Sequence, residues 1–134
     1  LPELDSSKVV YVCKHPEYVS KVDTKMDNQK QTTYPKKNWG SFMIFNKSKV
    51  DLTFEKVFSM SLQELHQFKW CDENDIGELP LKWNWLVGEY EDIDDANALH
   101  YTLGGAWYDK PHESKLNDIW LNYSRRQTEE KLNG

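Results

Sequence analysis

The apolar residues of this chain come in short β-prone runs, none longer than a single strand. Lys8-Val9-Val10-Tyr11-Val12-Cys13 is β-branched and apolar, and the polar Lys14-His15-Pro16 closes it, which is the pattern of a buried strand. Gly40-Ser41-Phe42-Met43-Ile44-Phe45-Asn46 reads as a second buried strand. Residues 81–87 read as an extended segment, and residues 98–102 as a further strand. Helical signals fall between and after them. Thr53 is placed to cap a helix that carries Phe54, Val57 and Phe58 on one face. Ser61-Leu62-Gln63-Glu64 fits a capping box, with Leu62, Leu65 and Phe68 as the apolar side of the helix it opens. From Ser114 onward, Leu116, Ile119, Trp120 and Tyr123 follow the spacing of a terminal amphipathic helix. Arg125/Glu129 and Arg126/Glu130 can pair along its solvated end. Residues 16–37, 71–80 and 89–95 lack periodicity and read as loops. The expected class is α/β, a mixed sheet with flanking helices, in one domain spanning residues 1–134.

Composition narrows the function classes. Six Trp, seven Tyr and five Phe can build a core, yet 29% of the chain is charged, so the aromatics must be concentrated in one core or at a binding surface. The 17 basic and 22 acidic residues leave a net charge of -5 with the cations dispersed, which argues against nucleic acid as a partner. No run reaches the roughly 18 apolar residues that a membrane span needs. Cys13 and Cys71 make neither a disulfide framework nor a zinc spacing and read as buried thiols. With no signal peptide in view, the expected location is cytoplasmic. The opening Leu1-Pro2-Glu3-Leu4 lacks an initiator methionine and reads as part of a longer sequence.

Four islands could carry chemistry. In Leu99-His100-Tyr101-Thr102-Leu103-Gly104-Gly105-Ala106-Trp107, a histidine ends a strand and is followed by two glycines, whose backbone N–H groups can approach an anion, and by an indole wall. Taken alone, the same stretch suits a hairpin turn with a packed aromatic. Asn38 and Asn46 bracket the second strand, where an amide can meet a sugar hydroxyl or simply form a turn. Asp72-Glu73-Asn74-Asp75-Ile76-Gly77-Glu78 clusters carboxylates that suit hydroxyls, a metal or a solvated loop. Trp83-Asn84-Trp85 sets two indoles at alternate positions, expected on one face of a strand.

In this order the islands resemble the carboxyl-terminal half of glycosyltransferases of the glycogenin and lipopolysaccharide-galactosyltransferase kind, over roughly residues 8–109. Those enzymes have the GT-A fold, a single Rossmann-like nucleotide-sugar-binding domain. The resemblance implies a chain that transfers a sugar from a nucleotide-diphosphate donor to a glycan or small-molecule acceptor. By the same resemblance His100 completes a divalent-metal site, Mn²⁺ or Mg²⁺, beneath the donor diphosphate. Gly104, Gly105 and Trp107 border that diphosphate, and Asn38 and Ser41 lie near the sugar. Asp75 is the acidic residue beside the reactive carbon, and Asn84 is a further substrate contact.

The departures are equally specific. The family's D-x-D motif, which supplies the other metal ligands, belongs before the stretch matching residues 8–13. Asp92-Ile93-Asp94 spells it at the wrong place and reads as an acidic loop. Ala106 stands where the family often has Lys-Pro, and Lys110-Pro111 comes later. The expected fold is thus a partial GT-A fold without its amino-terminal half. Its exposed sheet edges would favour a homo-oligomer. The alternative is a non-catalytic carbohydrate- or protein-binding module derived from such an enzyme.

Overall fold

Strand β1 (Val10–Val12) lies at the centre of a three-stranded mixed sheet, between β2 (Met43–Phe45), antiparallel to it, and β3 (Ile76–Glu78), parallel to it. The computed structural model describes residues 2–15, 35–109 and 111–133. The expected loop at 16–37 falls largely outside these residues, as does Lys110, and the side chains of Glu129 and Glu130, the partners of the two helix pairs, are not among those described.

The β-branched run becomes the middle strand because both of its faces are covered. Val10 and Val12 point to one side and pack with Phe68 and Ile76, flanked by Trp39, Trp70 and Cys71. Tyr11 and Cys13 point to the other side and pack with Leu79, flanked by Phe42, Ile44 and Trp83.

The second strand is shorter and less buried than its sequence suggests. Trp39–Ser41 forms a 3₁₀ turn, and β2 is an edge strand with Met43 and Phe45 partly exposed. An edge strand has a partner on one side only, so an apolar run there does not imply burial.

Residues 76–78 correct the expected loop over 71–80. They form β3, which Gly77 conceals at sequence level because glycine weakens a strand signal. Gly77 is opposite Tyr11, and a Cβ built there would meet the Tyr11 ring at 2.3 Å. Tyr11 cannot swing aside easily, since it is buried and its hydroxyl donates to the Asp5 carbonyl. Gly77→Ala is therefore expected to destabilise the fold by about 1–3 kcal/mol through overpacking. Urea denaturation followed by tryptophan fluorescence checks this; an unchanged midpoint would show that the ring yields.

Helix α1 (Phe54–Ser59) starts where expected, with Thr53 Oγ1 accepting from Lys56 N at 3.3 Å. Its two phenylalanines are not in the core. Phe54 and Phe58 stack on each other at 4.2 Å and remain 71% and 73% exposed. Helix α2 (Leu62–His66) has the full capping box: Glu64 N donates to Ser61 Oγ at 3.2 Å and Ser61 N to Glu64 Oε2 at 2.8 Å. It ends in a Schellman motif, with Phe68 N donating to Leu65 O at 3.1 Å and Lys69 N to Glu64 O at 3.0 Å. The residue in the left-handed position is Phe68, at φ 58°. Of Leu62, Leu65 and Phe68, only Phe68 is buried.

The described residues up to Asn84 form one compact unit, and those from Trp85 onward a second. Leu81–Trp83 is a 3₁₀ turn rather than an extended segment. Trp83 and Trp85 do not share a strand face: Trp83 packs on Phe42 at 5.8 Å, whereas Trp85 donates from Nε1 to the Glu91 carbonyl at 3.0 Å. In the second unit β4 (Trp85–Leu86) pairs in parallel with β5 (Leu99–His100). Helix α3 (Asn117–Asn133) follows.

The Asp92-Ile93-Asp94 sequence ties the β4–β5 connection to the approach to α3. Asp92 accepts from Ser114 Oγ at 2.7 Å and Lys115 N at 2.8 Å, and Asp94 pairs with Lys115 at 2.6 Å. Leu86, Leu103 and Leu116 are buried, while Ile119 and Tyr123 remain substantially exposed. Among the described residues no helix is long and apolar enough to cross a membrane.

Candidate functional site

At the carboxyl ends of the parallel strands β1 and β3 the chain buries an amide. Asn84 follows the Leu81–Trp83 turn and is 2% exposed. Its Nδ2 lies 3.0 Å from His15 Nε2, 2.9 Å from the Asn38 carbonyl and 2.8 Å from Ser41 Oγ. The Ser41 hydroxyl in turn lies 2.6 Å from the Asn38 carbonyl and 3.1 Å from Asn84 Oδ1. Two amide protons and one hydroxyl proton are shared among these acceptors. An amide nitrogen donates only, so in this contact His15 Nε2 stands on the accepting side.

Backbone shape makes this possible. Asn38 sits at φ 67°, a left-handed conformation that asparagine tolerates, and that turn places its carbonyl within reach of both Asn84 and Ser41. Asn38 Nδ2 and Trp39 Nε1 are buried and have no hydrogen-bond partner among the described residues. Such donors are costly when left unmet and useful when a ligand meets them.

Cations gather around the same indole. Lys14 Nζ lies 5.7 Å and Lys36 Nζ 5.6 Å from the Trp39 ring centre. Lys36 also donates to the Gln67 carbonyl at 3.1 Å and pairs with Glu73. Neighbouring Lys37 is buried. Lys14 and Lys36 thus bring cations beside two unmet donors, the Lys36 charge being shared with Glu73. An anionic, hydroxyl-bearing ligand suits it.

Three of the sequence-selected residues thus converge here: Asn38, Ser41 and Asn84. Asp75 does not join them. It ends the 3₁₀ turn before β3, and its carbonyl accepts from Val9 N at 2.9 Å, which puts it at the amino end of β1. Because β3 runs parallel to β1, the residue preceding β3 and the residues following it lie at opposite ends of the sheet. Val9 and Cys13 are separated by about 13 Å at 3.3 Å per residue. Asp75 instead borders a groove of about 340 Å³ with Lys49, Lys69 and Asp72.

Histidine 15, Lys14 and Trp39 are the residues that sequence reasoning did not select. Trp39 and the lysines at 36 and 37 adjoin Asn38 in the sequence, so a signal existed. His15 carried none, since its partner is 69 positions away.

The remaining candidates belong to the second unit. His100 ends β5, and its carbonyl accepts from Val87 N and Thr102 N, each at 3.0 Å. A Cβ on Gly105 would meet the Trp107 ring at 1.9 Å, so the indole of Trp107 lies against the Gly105 backbone. Gly104 has φ 109°. Trp107 packs with Tyr101, Tyr108 and Trp120 at 6.1, 5.8 and 5.1 Å and is still 51% exposed.

Among the described residues no three His, Cys, Asp or Glu side chains come together as metal ligands. Burial pushes the Cys13 and Cys71 thiols up to about 11, so neither is a ready nucleophile.

The fold and the site describe a small α/β protein whose polar cluster lies at the carboxyl ends of parallel strands, where α/β sheets bind ligands. Protein CDI of Arabidopsis thaliana is 37% identical over 131 residues, covering 91% of this chain and 50% of that protein. The chain therefore spans half the length of this curated relative. No family model and no solved structure matches the chain.

Proposed function

We propose that the chain is the donor-sugar-binding half of a glycosyltransferase of the GT-A kind, which transfers a sugar from a nucleotide-diphosphate donor to a glycan or small-molecule acceptor. The observation that carries the reading is the cluster of Asn38, Ser41, Asn84 and His15. It presents two unmet buried N–H donors, on Asn38 and Trp39, beside Lys14 and Lys36. In this reading the Asn38 amide and the Trp39 indole donate to sugar hydroxyls or phosphate oxygens. The lysines offset the diphosphate charge. Asn84 fixes the Asn38 carbonyl and the Ser41 hydroxyl, which keeps the donors aimed before the ligand arrives. A divalent metal would supply further neutralisation of the leaving diphosphate. Among the described residues no three His, Cys, Asp or Glu side chains come together to hold it.

A second reading, a non-catalytic saccharide-binding module, is favoured by one observation: Asp75 lies away from the cluster. Calorimetric titration with UDP-glucose, UDP-galactose and GDP-mannose, with and without Mn²⁺, separates the two. The donor reading expects binding that Trp39→Phe weakens about tenfold, because that change keeps the ring and removes one N–H donor to a charged group. Binding of free disaccharides without any nucleotide sugar would favour the module.

A further inference from the structure

From the second unit alone, we infer a binding groove for an uncharged saccharide between the β4–β5 connection and the start of α3. The inference stands whether or not the first unit binds a nucleotide sugar. The cavity measures about 350 Å³, at the lower end of the range for small-ligand pockets. Leu99, Tyr101, Trp120 and Tyr123 supply its apolar wall, and Asn97 and Asp94 its polar rim.

The wall is fixed before any ligand arrives. The Tyr101 hydroxyl donates to the Leu116 carbonyl at 2.7 Å, and Trp120 packs on Trp107 at 5.1 Å. Tyr123 is 62% exposed, and the Arg126 guanidinium lies 5.4 Å from its ring centre. Exposed aromatic rings beside amide and carboxylate groups match the two surfaces of a sugar. Its C–H face, slightly positive, packs on the negative face of an aromatic ring, and its hydroxyls bond to the rim.

Charge selects among ligands of that shape. Asp94 stands on the rim, with Asp92 and Asp95 beside it in the chain. The Lys115 ammonium is already paired with Asp94, while the Lys115 backbone N–H donates to Asp92. With Lys115 already paired, a phosphate or nucleotide entering here would be repelled by the rim carboxylates, whereas the hydroxyls of a neutral ring can donate to them. The occupant is therefore a neutral saccharide rather than a sugar phosphate.

The test follows the Trp120 indole and Asn97 side-chain resonances by NMR during titration with cellobiose, maltose and lactose, and with glucose 6-phosphate as the charged probe. The expected result is that at least one neutral disaccharide shifts both signals and that glucose 6-phosphate binds more weakly. Tyr123→Ala and Asn97→Ala should each weaken binding about five- to tenfold, with Tyr123→Phe close to wild type. Both positions are exposed, so these variants should keep the fold, which unchanged spectra elsewhere would verify. The inference is overturned if no disaccharide moves these resonances, or if Tyr123→Ala binds as well as wild type. It is also overturned if Tyr123 proves to be buried by a second copy of the chain in sedimentation and concentration-dependent spectra.

Discussion

Asn84→Ala is expected to cost about 3 kcal/mol of stability, on the basis of one or two buried groups losing their partners at roughly 1–3 kcal/mol each. The amide holds His15, the Asn38 carbonyl and Ser41 together. Its removal deletes the amide contact to His15 Nε2 and leaves Ser41 as the only one of those partners still bonded to the Asn38 carbonyl. Urea denaturation measures the loss. Asn84→Asp makes the sharper comparison. A carboxylate opposite His15 Nε2 would favour the imidazolium and raise the histidine's pKa above the usual value near 6.5. The stabilisation from that pair is fully present below the unfolded-state pKa and is lost as pH rises through the folded one. Asn84→Asp should therefore gain stability relative to Asn84→Ala as pH falls from about 8 to 6. Equal pH profiles for the two variants would mean that His15 does not face residue 84.

Phe68→Ala carries the largest expected loss, about 3–5 kcal/mol for removing a buried aromatic ring. The ring sits 6.2 Å from Trp39 and 5.6 Å from Trp70 by ring centres, within the cluster that holds Val10, Val12 and Ile76. Its backbone adds a second effect. At φ 58° the residue terminates α2 in a conformation that costs a side-chain-bearing residue roughly 1–2 kcal/mol and costs glycine almost nothing. Phe68→Gly should thus be more stable than Phe68→Ala by about 1 kcal/mol, the reverse of the order found inside a helix. Paired denaturation curves decide it. Should alanine prove the better replacement, the left-handed cap would not persist in solution.

What could be read in advance divides along physical lines. The β1 run, the Thr53 cap and the Ser61–Glu64 capping box are local signals, each complete within a few residues, and each forms as expected. Strand β3 was hidden because its central residue is glycine, chosen for the Tyr11 ring of another strand rather than for its own propensity. The burial of Phe68 was legible, but its left-handed backbone was not, since the packing that compensates it comes from Trp39 and Trp70. Asn38, Ser41 and Asn84 were singled out one by one, yet their meeting around His15 depends on the turns at 39–41 and 81–83. The distance of Asp75 from them follows from strand direction, which only the parallel pairing of β1 and β3 reveals.

The central claim is that the carboxyl ends of β1 and β3 recognise a nucleotide-diphosphate sugar. It is tested most directly by an amide-detected NMR titration of this chain with UDP-glucose, UDP-galactose and GDP-mannose to about 10 mM, which captures dissociation constants of a few millimolar. The account predicts that one of these donors shifts the Trp39 indole N–H and the Asn38 side-chain amide, and that Asn84→Ala abolishes those shifts. Saturation with every donor leaving both resonances unmoved, or shifts that persist in Asn84→Ala, would contradict it.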